Sequence, residues 1–376
     1  MSKKAYIGID GKARKIRKIY IGIDGTARRV IKAYIGIGGI ARPCYGSGLE
    51  YFGTTTELSV GRYGLSATTV GDYALFAGGY RGNGSDYKST VDAYDKSLVK
   101  TTPAELSVAR RDLSATTVGD YALFAGGYCG GSSNYTSTVD AYNKSLTRTT
   151  PKGLSVSRYN LAATTVGDYA LFAGGYVGSS NYKSTVDAYD KALTRTLPTE
   201  LSRSRDNLSA TTVGDYALFA GGRGNSSTYQ KIVDAYDKSL TRILAADLSV
   251  GRNRLSAATL GGCALFAGGS ADNSDYNTRV DAYNESLTAI WITPLGVGRC
   301  ELSATTVGDY ALFAGGTTGS YSCLSHVDAY DKMLTRNLPA ELSVARYDLS
   351  ATTVGDYALF AGGYNGVSTV DVYAGY

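Results

Sequence analysis

One pentapeptide, LFAGG, recurs seven times at intervals of 47 or 48 residues, and this repeat limits the possible folds more than any other feature. Each copy follows LSATTVGDYA or a close variant and precedes Val-Asp-Ala-Tyr, or Val-Asp-Val-Tyr in the last copy. Repetition at this period is typical of propellers and solenoids. We therefore expect much of the 376-residue chain to form one repeat domain.

Each repeat contains four short strand-forming segments: LSATTV, YALFAGG, TVDAYD and LTRTLP, or their equivalents. Gly-Asp separates the first two segments and is a suitable hairpin turn. The 47 glycines, 32 tyrosines and 6 prolines also indicate many short strands joined by tight turns. The sequence therefore predicts an all-β protein with a seven-bladed β-propeller over residues 48–376.

The seventh repeat ends after its third strand, and the start of the propeller contains the missing fourth one. The segment LEYFGTTTELSV, which begins at Leu49, aligns with DAYDKSLVKTTPAELSV, which begins at Asp92. We expect residues 51–57 to pair with residues 369–373. Closure by this N-terminal strand would remove two exposed sheet edges.

Three elements of the repeat resemble the kelch repeat over residues 48–376: the diglycine that ends strand two, the Val-Asp-Ala-Tyr of strand three, and an arginine before strand one. The arginines are Arg62, Arg110, Arg158, Arg205, Arg252, Arg299 and Arg346. The resemblance implies a kelch-like propeller closed by its N-terminal strand. The tryptophan usual in the fourth kelch strand occurs only as Trp291, so we expect Leu, Thr and Val to pack between the other blades.

Residues 1–47 form a different repeat, with a period of 14 residues. Its three units place Asp10-Gly11, Asp24-Gly25 and Gly38-Gly39 between short alternating runs, which predicts three hairpins with type I′ turns. Residues 1–45 carry a net charge of +9, so the remaining 331 residues carry −4 of the total of +5. So short a segment buries little core, and we predict an attachment or oligomerisation module. It resembles N-terminal segments of tail- or baseplate-associated proteins from phages and prophages of Gram-positive bacteria.

Two segments vary among the otherwise similar repeats: the residue pair after the arginine and the loop after the diglycine. In an up-and-down blade both connections emerge at the same end, so we expect one variable face. Its Tyr, Asn, Asp, Ser, Gly and Arg residues resemble an antibody paratope, although neutral drift in exposed loops would also produce variation. The predicted ligand-binding face comprises Tyr63, Tyr80, Arg111, Tyr128, Tyr159, Tyr176, Asp206, Arg223, Asn253, Glu301, Tyr347 and Tyr364.

The repeated charged residues have structural and functional interpretations. The seven arginines could bind an anion, or each could pair with a strand-three aspartate; their presence in every repeat favours pairing. The aspartates are Asp92, Asp140, Asp187, Asp234, Asp281, Asp328 and Asp371. The Gly-Asp aspartates could suggest a calcium ring, but the turn itself needs this dipeptide and Gly262 replaces one aspartate. We assign no metal.

Catalysis is not expected, and no catalytic residue or cofactor is assigned. Copper oxidases similar to galactose oxidase need two histidines, whereas this chain has only His326. The repeats also show no asymmetric cluster of Arg, Glu and a tyrosine nucleophile such as a sialidase needs. The five cysteines have no repeated spacing and suggest neither a disulfide framework nor a metal site.

The sequence predicts a non-enzymatic binding protein, with a phage virion-associated or surface adhesin for a host glycan or protein as the leading hypothesis. An intracellular kelch-type scaffold is the alternative, although the sequence shows no helical partner domain; a propeller enzyme is the third hypothesis. Nucleic-acid binding by the basic module is less expected than a solvated strand face. No apolar signal-peptide region or 18-residue apolar stretch occurs, so we expect synthesis in the cytoplasm, no membrane insertion, and a location in the virion or at the bacterial surface.

Overall fold

The structure, a computed structural model, describes six strands between residues 6 and 45, and residues 48–375 except 83, 132–133, 226–227, 273–274 and 320–321. Its regular elements are β-strands: three two-stranded hairpins and seven four-stranded antiparallel sheets. The sheets form a seven-bladed β-propeller with 28 strands, so the predicted all-β fold and blade count are confirmed.

The hairpins come first in the chain. They pair β1 (Tyr6–Ile9) with β2 (Lys12–Lys15), β3 (Ile19–Ile23) with β4 (Thr26–Val30), and β5 (Ala33–Ile37) with β6 (Ile40–Tyr45). The predicted hairpin repeat is therefore confirmed. The type I′ turns were expected at residues 10–11, 24–25 and 38–39, which lie outside the described residues.

The blades, numbered 1–7 in chain order, share one strand pattern. Their first strands are β8 (Ser66–Val70), β12 (Ser114–Val118), β16 (Ala162–Val166), β20 (Ser209–Val213), β24 (Ser256–Leu260), β28 (Ser303–Val307) and β32 (Ser350–Val354). The second strands are β9 (Tyr73–Ala77), β13 (Tyr121–Ala125), β17 (Tyr169–Ala173), β21 (Tyr216–Ala220), β25 (Cys263–Ala267), β29 (Tyr310–Ala314) and β33 (Tyr357–Ala361). The third strands are β10 (Val91–Asp95), β14 (Val139–Asn143), β18 (Val186–Asp190), β22 (Val233–Tyr236), β26 (Val280–Asn284), β30 (Val327–Asp331) and β34 (Val370–Gly375). The fourth strands are short except in blade 7: β11 (Lys100–Thr101), β15 (Arg148–Thr149), β19 (Arg195–Thr196), β23 (Arg242–Leu244), β27 (Ala289–Trp291), β31 (Arg336–Asn337) and β7 (Leu49–Thr55).

The N-terminal strand closes the ring, as predicted. Strand β7 pairs with β34 from Thr55 opposite Val370 to Leu49 opposite Gly375, so the pairing begins and ends two residues earlier on β7 than expected. The hydroxyl of Tyr51 donates a hydrogen bond of 2.7 Å to Asp371 across this junction. Because the first and last parts of the propeller share one blade, the fold has no open end between blades 7 and 1.

Separate hydrophobic cores fill the spaces between adjacent blades. Alternation along the second strand directs Leu75 and Ala77 of blade 1 into the core that also contains Phe124 and Tyr142 of blade 2. Small alanines on one sheet opposite aromatic rings on the next allow close packing. Trp291 has 73% of its surface exposed and does not take part in such a core. Leu and Val side chains lie in every one of these cores, as the sequence predicted, and buried Phe and Tyr side chains add bulk that it did not predict.

Threonines of the first strands connect the blades around the axis. At six of the seven blade junctions, two threonine hydroxyls lie 2.7–2.9 Å apart, for example Thr68 and Thr117. The exception lies between blades 5 and 6, where Ala258 occupies the first position of the pair. The first strands of neighbouring blades are therefore joined by side-chain hydrogen bonds as well as by apolar packing.

The repeated arginines and aspartates are buried ion pairs. All seven arginine side chains are fully buried and lie 2.6–2.9 Å from the strand-three aspartate of their own blade. In blade 3, Arg158 donates a hydrogen bond of 2.8 Å to the Asp187 carboxylate and one of 3.1 Å to the Phe172 carbonyl. Asp187 also accepts a hydrogen bond of 2.8 Å from the Ser155 amide. Each pair therefore joins strands two and three to the connector before strand one, which is the structural interpretation of the repeated arginine.

Candidate ligand-binding face

The two variable segments of each blade are hydrogen-bonded to one another. In blade 1, antiparallel backbone bridges join Tyr63 to Tyr80 and Tyr80 to Tyr87. We call each such set a loop triplet, and the others are Arg111–Tyr128–Tyr135, Tyr159–Tyr176–Tyr182, Asp206–Arg223–Tyr229, Asn253–Ser270–Tyr276 and Cys300–Thr317–Cys323. Blade 7 contributes a pair, in which the Tyr364 amide donates 2.8 Å to the Tyr347 carbonyl. The variable segments therefore lie together at one end of the propeller.

The diglycine sets the position of each loop triplet. Gly78 has a φ of +70°, and a Cβ atom there would lie 2.7 Å from the carbonyl oxygen of Arg110 in the next blade. Gly79 has a φ of +115°, and its amide donates a hydrogen bond of 2.8 Å to that same carbonyl. Only glycine combines this backbone conformation with so close an approach. The repeated diglycine thus holds the variable loop against the neighbouring blade.

The second residues of the variable pairs form a closed backbone ring around the propeller axis. Each amide donates 2.8–3.2 Å to the carbonyl of the corresponding residue in the preceding blade, and the Gly64 amide completes the circle by donating to Asp348. All seven residues have φ between +50° and +62°. We call this the axial ring: Gly64, Asp112, Asn160, Asn207, Arg254, Glu301 and Asp348. Gly, Asn and Asp adopt this conformation most easily, so Arg254 and Glu301 are exceptions.

The axial ring concentrates carboxylates at one end of the axis. Arg254 lies 2.8 Å from Glu301 through Nη1, and Arg111 lies 3.4 Å from Asp112 through Nε. Burial raises the pKa of Asp112 to about 6. Burial also raises the pKa of Asp348 well above its ordinary value, and the nearby charges of Glu301 and Asp112 raise it further. Removing these carboxylates from water while crowding them together therefore favours their neutral forms.

Ten tyrosines form an unbroken series of ring contacts from blade 7 through blade 3. Successive ring centroids are 4.6–5.9 Å apart, within the range of favourable aromatic pairs. Arg111 lies among them, with its guanidinium 5.2 Å from the Tyr80 centroid and 5.5 Å from the Tyr128 centroid. We call this the tyrosine arc: Tyr347, Tyr364, Tyr63, Tyr80, Tyr87, Tyr128, Tyr135, Tyr159, Tyr176 and Tyr182. The half-buried rings fix one another and present a broad amphipathic surface.

The loop triplets of blades 5 and 6 carry smaller side chains and leave a cavity of about 440 Å³. Asn253, Ser270, Cys300 and Thr317 line it at positions where blades 1 and 3 carry tyrosine. The end of the tyrosine arc forms one wall, and Arg223, Tyr229 and Tyr276 line another part of the cavity. Arg254, Glu301 and Asp348 of the axial ring also line it. We call this space the face cavity.

The structure places the predicted site residues in three environments. Tyr63, Tyr80, Tyr128, Tyr159, Tyr176, Tyr347 and Tyr364 belong to the tyrosine arc and Arg111 lies within it; Arg223, Asn253 and Glu301 line the face cavity. Asp206 is instead fully buried, and accepts hydrogen bonds of 3.0 Å from Asn207 and 3.4 Å from Arg223. Asp206 therefore helps to position the Arg223 side chain and is not itself part of the surface.

Sequence reasoning missed the third residue of each loop triplet and the small residues that open the cavity. The third residue is tyrosine in five of the six triplets, at a spacing of six or seven residues from the second. That regular tyrosine was a usable signal. The cavity had no comparable signal, because it arises where small side chains from two loops of adjacent blades meet.

The opposite end of the propeller is more uniform. The aspartate of the Gly-Asp turn lies beside the lysine of the strand three to four turn, as in Lys96–Asp72 and Lys332–Asp309. Among the described residues, no group of three or more His, Cys, Asp and Glu side chains is arranged to hold a metal ion. Cys129, Cys263, Cys300 and Cys323 are free thiols, and burial raises the pKa of Cys300 to about 12. The described part of the chain contains no helix of the length and hydrophobicity needed to cross a bilayer.

Compared with known proteins, the chain matches no family model and no curated protein.

Proposed function

We propose that this protein is a non-enzymatic adhesin, associated with a phage virion or a bacterial surface, that recognises a host glycan or protein through its ligand-binding face. The observation that carries this proposal is the difference between the two ends of the propeller. Near-identical blades repeat one turn structure at one end, whereas the other end carries the tyrosine arc, the axial ring and the face cavity. Function commonly resides in loops that a rigid scaffold positions.

The tyrosine arc is suited to recognition. Tyrosine supplies a large contact area with few rotatable bonds, so little conformational entropy is lost on binding. Packing of each ring against its neighbours fixes the arc further, as in the stacked pair Tyr347–Tyr364 with centroids 4.6 Å apart. A surface organised before the ligand arrives loses less free energy on association. The arc therefore supports a binding role that needs no catalytic group.

The N-terminal hairpins supply the second part of the proposal. Their net charge of +9 distinguishes them from the propeller, and their repeat resembles segments of phage tail-associated proteins. In this proposal they attach the protein to the virion or join several copies. The propeller, with its kelch-like repeats, then presents its variable face outward.

The test is binding of the full chain to host cells and to an array of surface glycans and proteins. The combined substitutions Tyr63→Ala, Tyr159→Ala and Tyr347→Ala should reduce binding at least tenfold, because each removes one half-buried ring of the arc. The matched control replaces Lys96, Lys144 and Lys191 at the opposite end by alanine and should bind as the wild type does. Equal binding by the tyrosine variant would refute the assignment of the face.

A further inference from the structure

We infer that the face cavity is a carbohydrate subsite, which takes one or two rings of an uncharged sugar. This inference rests on the proposed function and deepens it, because it selects the glycan over the protein ligand and places its recognition in one sector of the face. Ligand pockets commonly have volumes of about 300–1,000 Å³. The cavity of about 440 Å³ lies near the small end of that range.

The cavity is a local departure from the blade repeat. The first two positions of the loop triplet are both tyrosine in blades 1 and 3, as are the two residues of the blade 7 pair. The same positions are Asn253 and Ser270 in blade 5, and Cys300 and Thr317 in blade 6. The backbone bridges join equivalent positions in blades 1, 3, 5 and 6, so the bridged residues of blades 5 and 6 place smaller side chains on the same pairing pattern. The substitution of small residues in two adjacent blades opens one continuous cavity.

Tyrosine rings provide an apolar wall. The rings of Tyr347 and Tyr364 are nearly parallel, at 14° and 4.6 Å, and Tyr63 packs 5.3 Å from Tyr364. All three residues line the cavity. A pyranose ring has an apolar C–H face, and an aromatic side chain is a suitable surface for it because the ring buries that face while a phenol hydroxyl stays near water.

Polar groups of opposite hydrogen-bonding character line the rest of the cavity. The Arg254 guanidinium only donates hydrogen bonds, whereas the Glu301 carboxylate, 2.8 Å from it, only accepts when ionised. Asp348 adds a second carboxyl group, and Asn253 adds an amide that both donates and accepts. A sugar hydroxyl is itself both a donor and an acceptor. Neighbouring hydroxyls on one ring can therefore pair with both kinds of group at once.

The charges argue against other ligand classes. An anion such as phosphate would meet the carboxyl groups of Glu301 and Asp348. A cation would meet Arg254 and Arg223, which line the same cavity. An apolar ligand would displace water from the donors and acceptors of these groups that are not already paired, at a cost of about 1–3 kcal/mol for each one left unsatisfied. The raised pKa of Asp348, caused by burial and by the carboxylates of Glu301 and Asp112, reduces the charge of the site further. An uncharged polyhydroxylated ring fits this set of groups best.

The experiment measures binding of methyl glycosides to the full chain, by saturation-transfer NMR and by calorimetry. The probes are methyl glycosides of neutral hexoses, deoxyhexoses and N-acetylhexosamines. Wild-type protein should bind at least one of these probes, and inorganic phosphate should not compete. Ser270→Tyr introduces the residue that blades 1, 2, 3 and 7 already carry at this position, so it fills the cavity with a side chain the repeat accommodates. We expect it to abolish binding of the glycoside.

Two further variants make the test specific. Lys191→Ala lies at the opposite end of the propeller, outside the ligand-binding face, and should leave glycoside binding unchanged. Asp348→Asn keeps a residue that tolerates the φ of +53°, as Asn160 does at +54°, and should weaken binding at least tenfold. Because asparagine already occupies the axial ring in blades 3 and 4, this variant should fold.

The outcomes separate this inference from the proposed function. Absence of binding to every methyl glycoside, or equal binding by wild type and Ser270→Tyr, would overturn the carbohydrate subsite. If host-surface binding is then still lost in the triple tyrosine variant, the proposed adhesive function stands without the sugar. If host-surface binding survives the triple variant, the ligand-binding face itself is wrong.

Discussion

The buried ion pairs give the sharpest prediction about stability, and blade 3 offers a well-defined case. Asp187 is fully buried and accepts hydrogen bonds from Arg158 at 2.8 Å, from the Ser155 amide at 2.8 Å and from the Ser155 hydroxyl at 3.1 Å. Asp187→Asn preserves the shape but removes the negative charge and at least one acceptor. Arg158 then remains buried without a counter-charge, and we expect the free energy of unfolding to fall by about 3–5 kcal/mol.

The same blade contains a matched control at its surface. Asp168 pairs with Lys191 at 2.5 Å, but the two side chains are 67% and 57% exposed. Solvent and salt screen such a pair, so Asp168→Asn should cost less than about 1 kcal/mol. Replacing both buried partners, as Arg158→Met with Asp187→Leu, should be less destabilising than Asp187→Asn, because no buried charge is left alone.

These differences in the free energy of unfolding are measured by equilibrium unfolding in urea, which is monitored by far-UV circular dichroism. Urea is uncharged and does not screen the ion pairs, as guanidinium chloride would. Comparable slopes of unfolding free energy against urea would show that the variants unfold from similar folded states. If Asp187→Asn costs no more than Asp168→Asn, the repeated arginine and aspartate do not stabilise the blade as argued.

Three further predictions concern the axial ring, the inner strands and the hairpin module. Burial raises the pKa of Asp112 from 3.8 to about 6, so the folded protein binds more protons than the unfolded chain between these values and its stability falls as pH rises through them. Asp112→Asn should remove that part of the pH dependence and raise the free energy of unfolding at pH 7 by about 1–3 kcal/mol, in urea titrations at pH 4.5 and 7; an unchanged pH profile would contradict the assignment. Ala258→Thr should complete the threonine contacts between blades 5 and 6 by pairing with Thr306, and stabilise the protein by about 0.5–1 kcal/mol in the same assay; destabilisation would show that the junction has no room for it. Deletion of residues 1–47 should leave the circular dichroism of the propeller intact but lower the mass of the assembly in light scattering, and an unchanged mass would exclude oligomerisation by the hairpins.

The architecture was predictable because the repeat carries it at several levels. The diglycine, the Gly-Asp turn and the strand-three aspartate recur in register, so seven blades and their strands could be counted from the sequence. The N-terminal closure followed from the missing fourth strand, and the observed pairing of Leu49–Thr55 with Val370–Gly375 differs from the prediction only in register. Register is harder to predict because the bulge between Val372 and Tyr373 shifts the partners.

The candidate site was predictable in outline but not in its geometry. The directions of the strands predicted that the two variable segments lie at the same end of the propeller. The bridge between Tyr63 and Tyr80 confirms this prediction. The burial of Asp206 could not be predicted, because it depends on Arg223, which lies 17 residues later in the loop above it. The axial ring could not be predicted either. Six of its seven hydrogen bonds join residues 47 or 48 positions apart, and all seven use backbone atoms, so no side-chain type marks them in the sequence.

The same backbone bonding explains how the face can vary without loss of the fold. The axial ring and the loop triplets are held by amide and carbonyl groups, which every residue except proline supplies in full. The backbone framework of the face therefore does not depend on the identity of these side chains, whereas the buried arginines, aspartates and diglycines beneath it are the same in every blade. Tyrosine at position 80 and serine at position 270 thus occupy the same backbone framework and differ in the surface they create. Exchanges between blades at these positions should consequently alter recognition with little effect on stability, which makes the repeat itself the source of control variants.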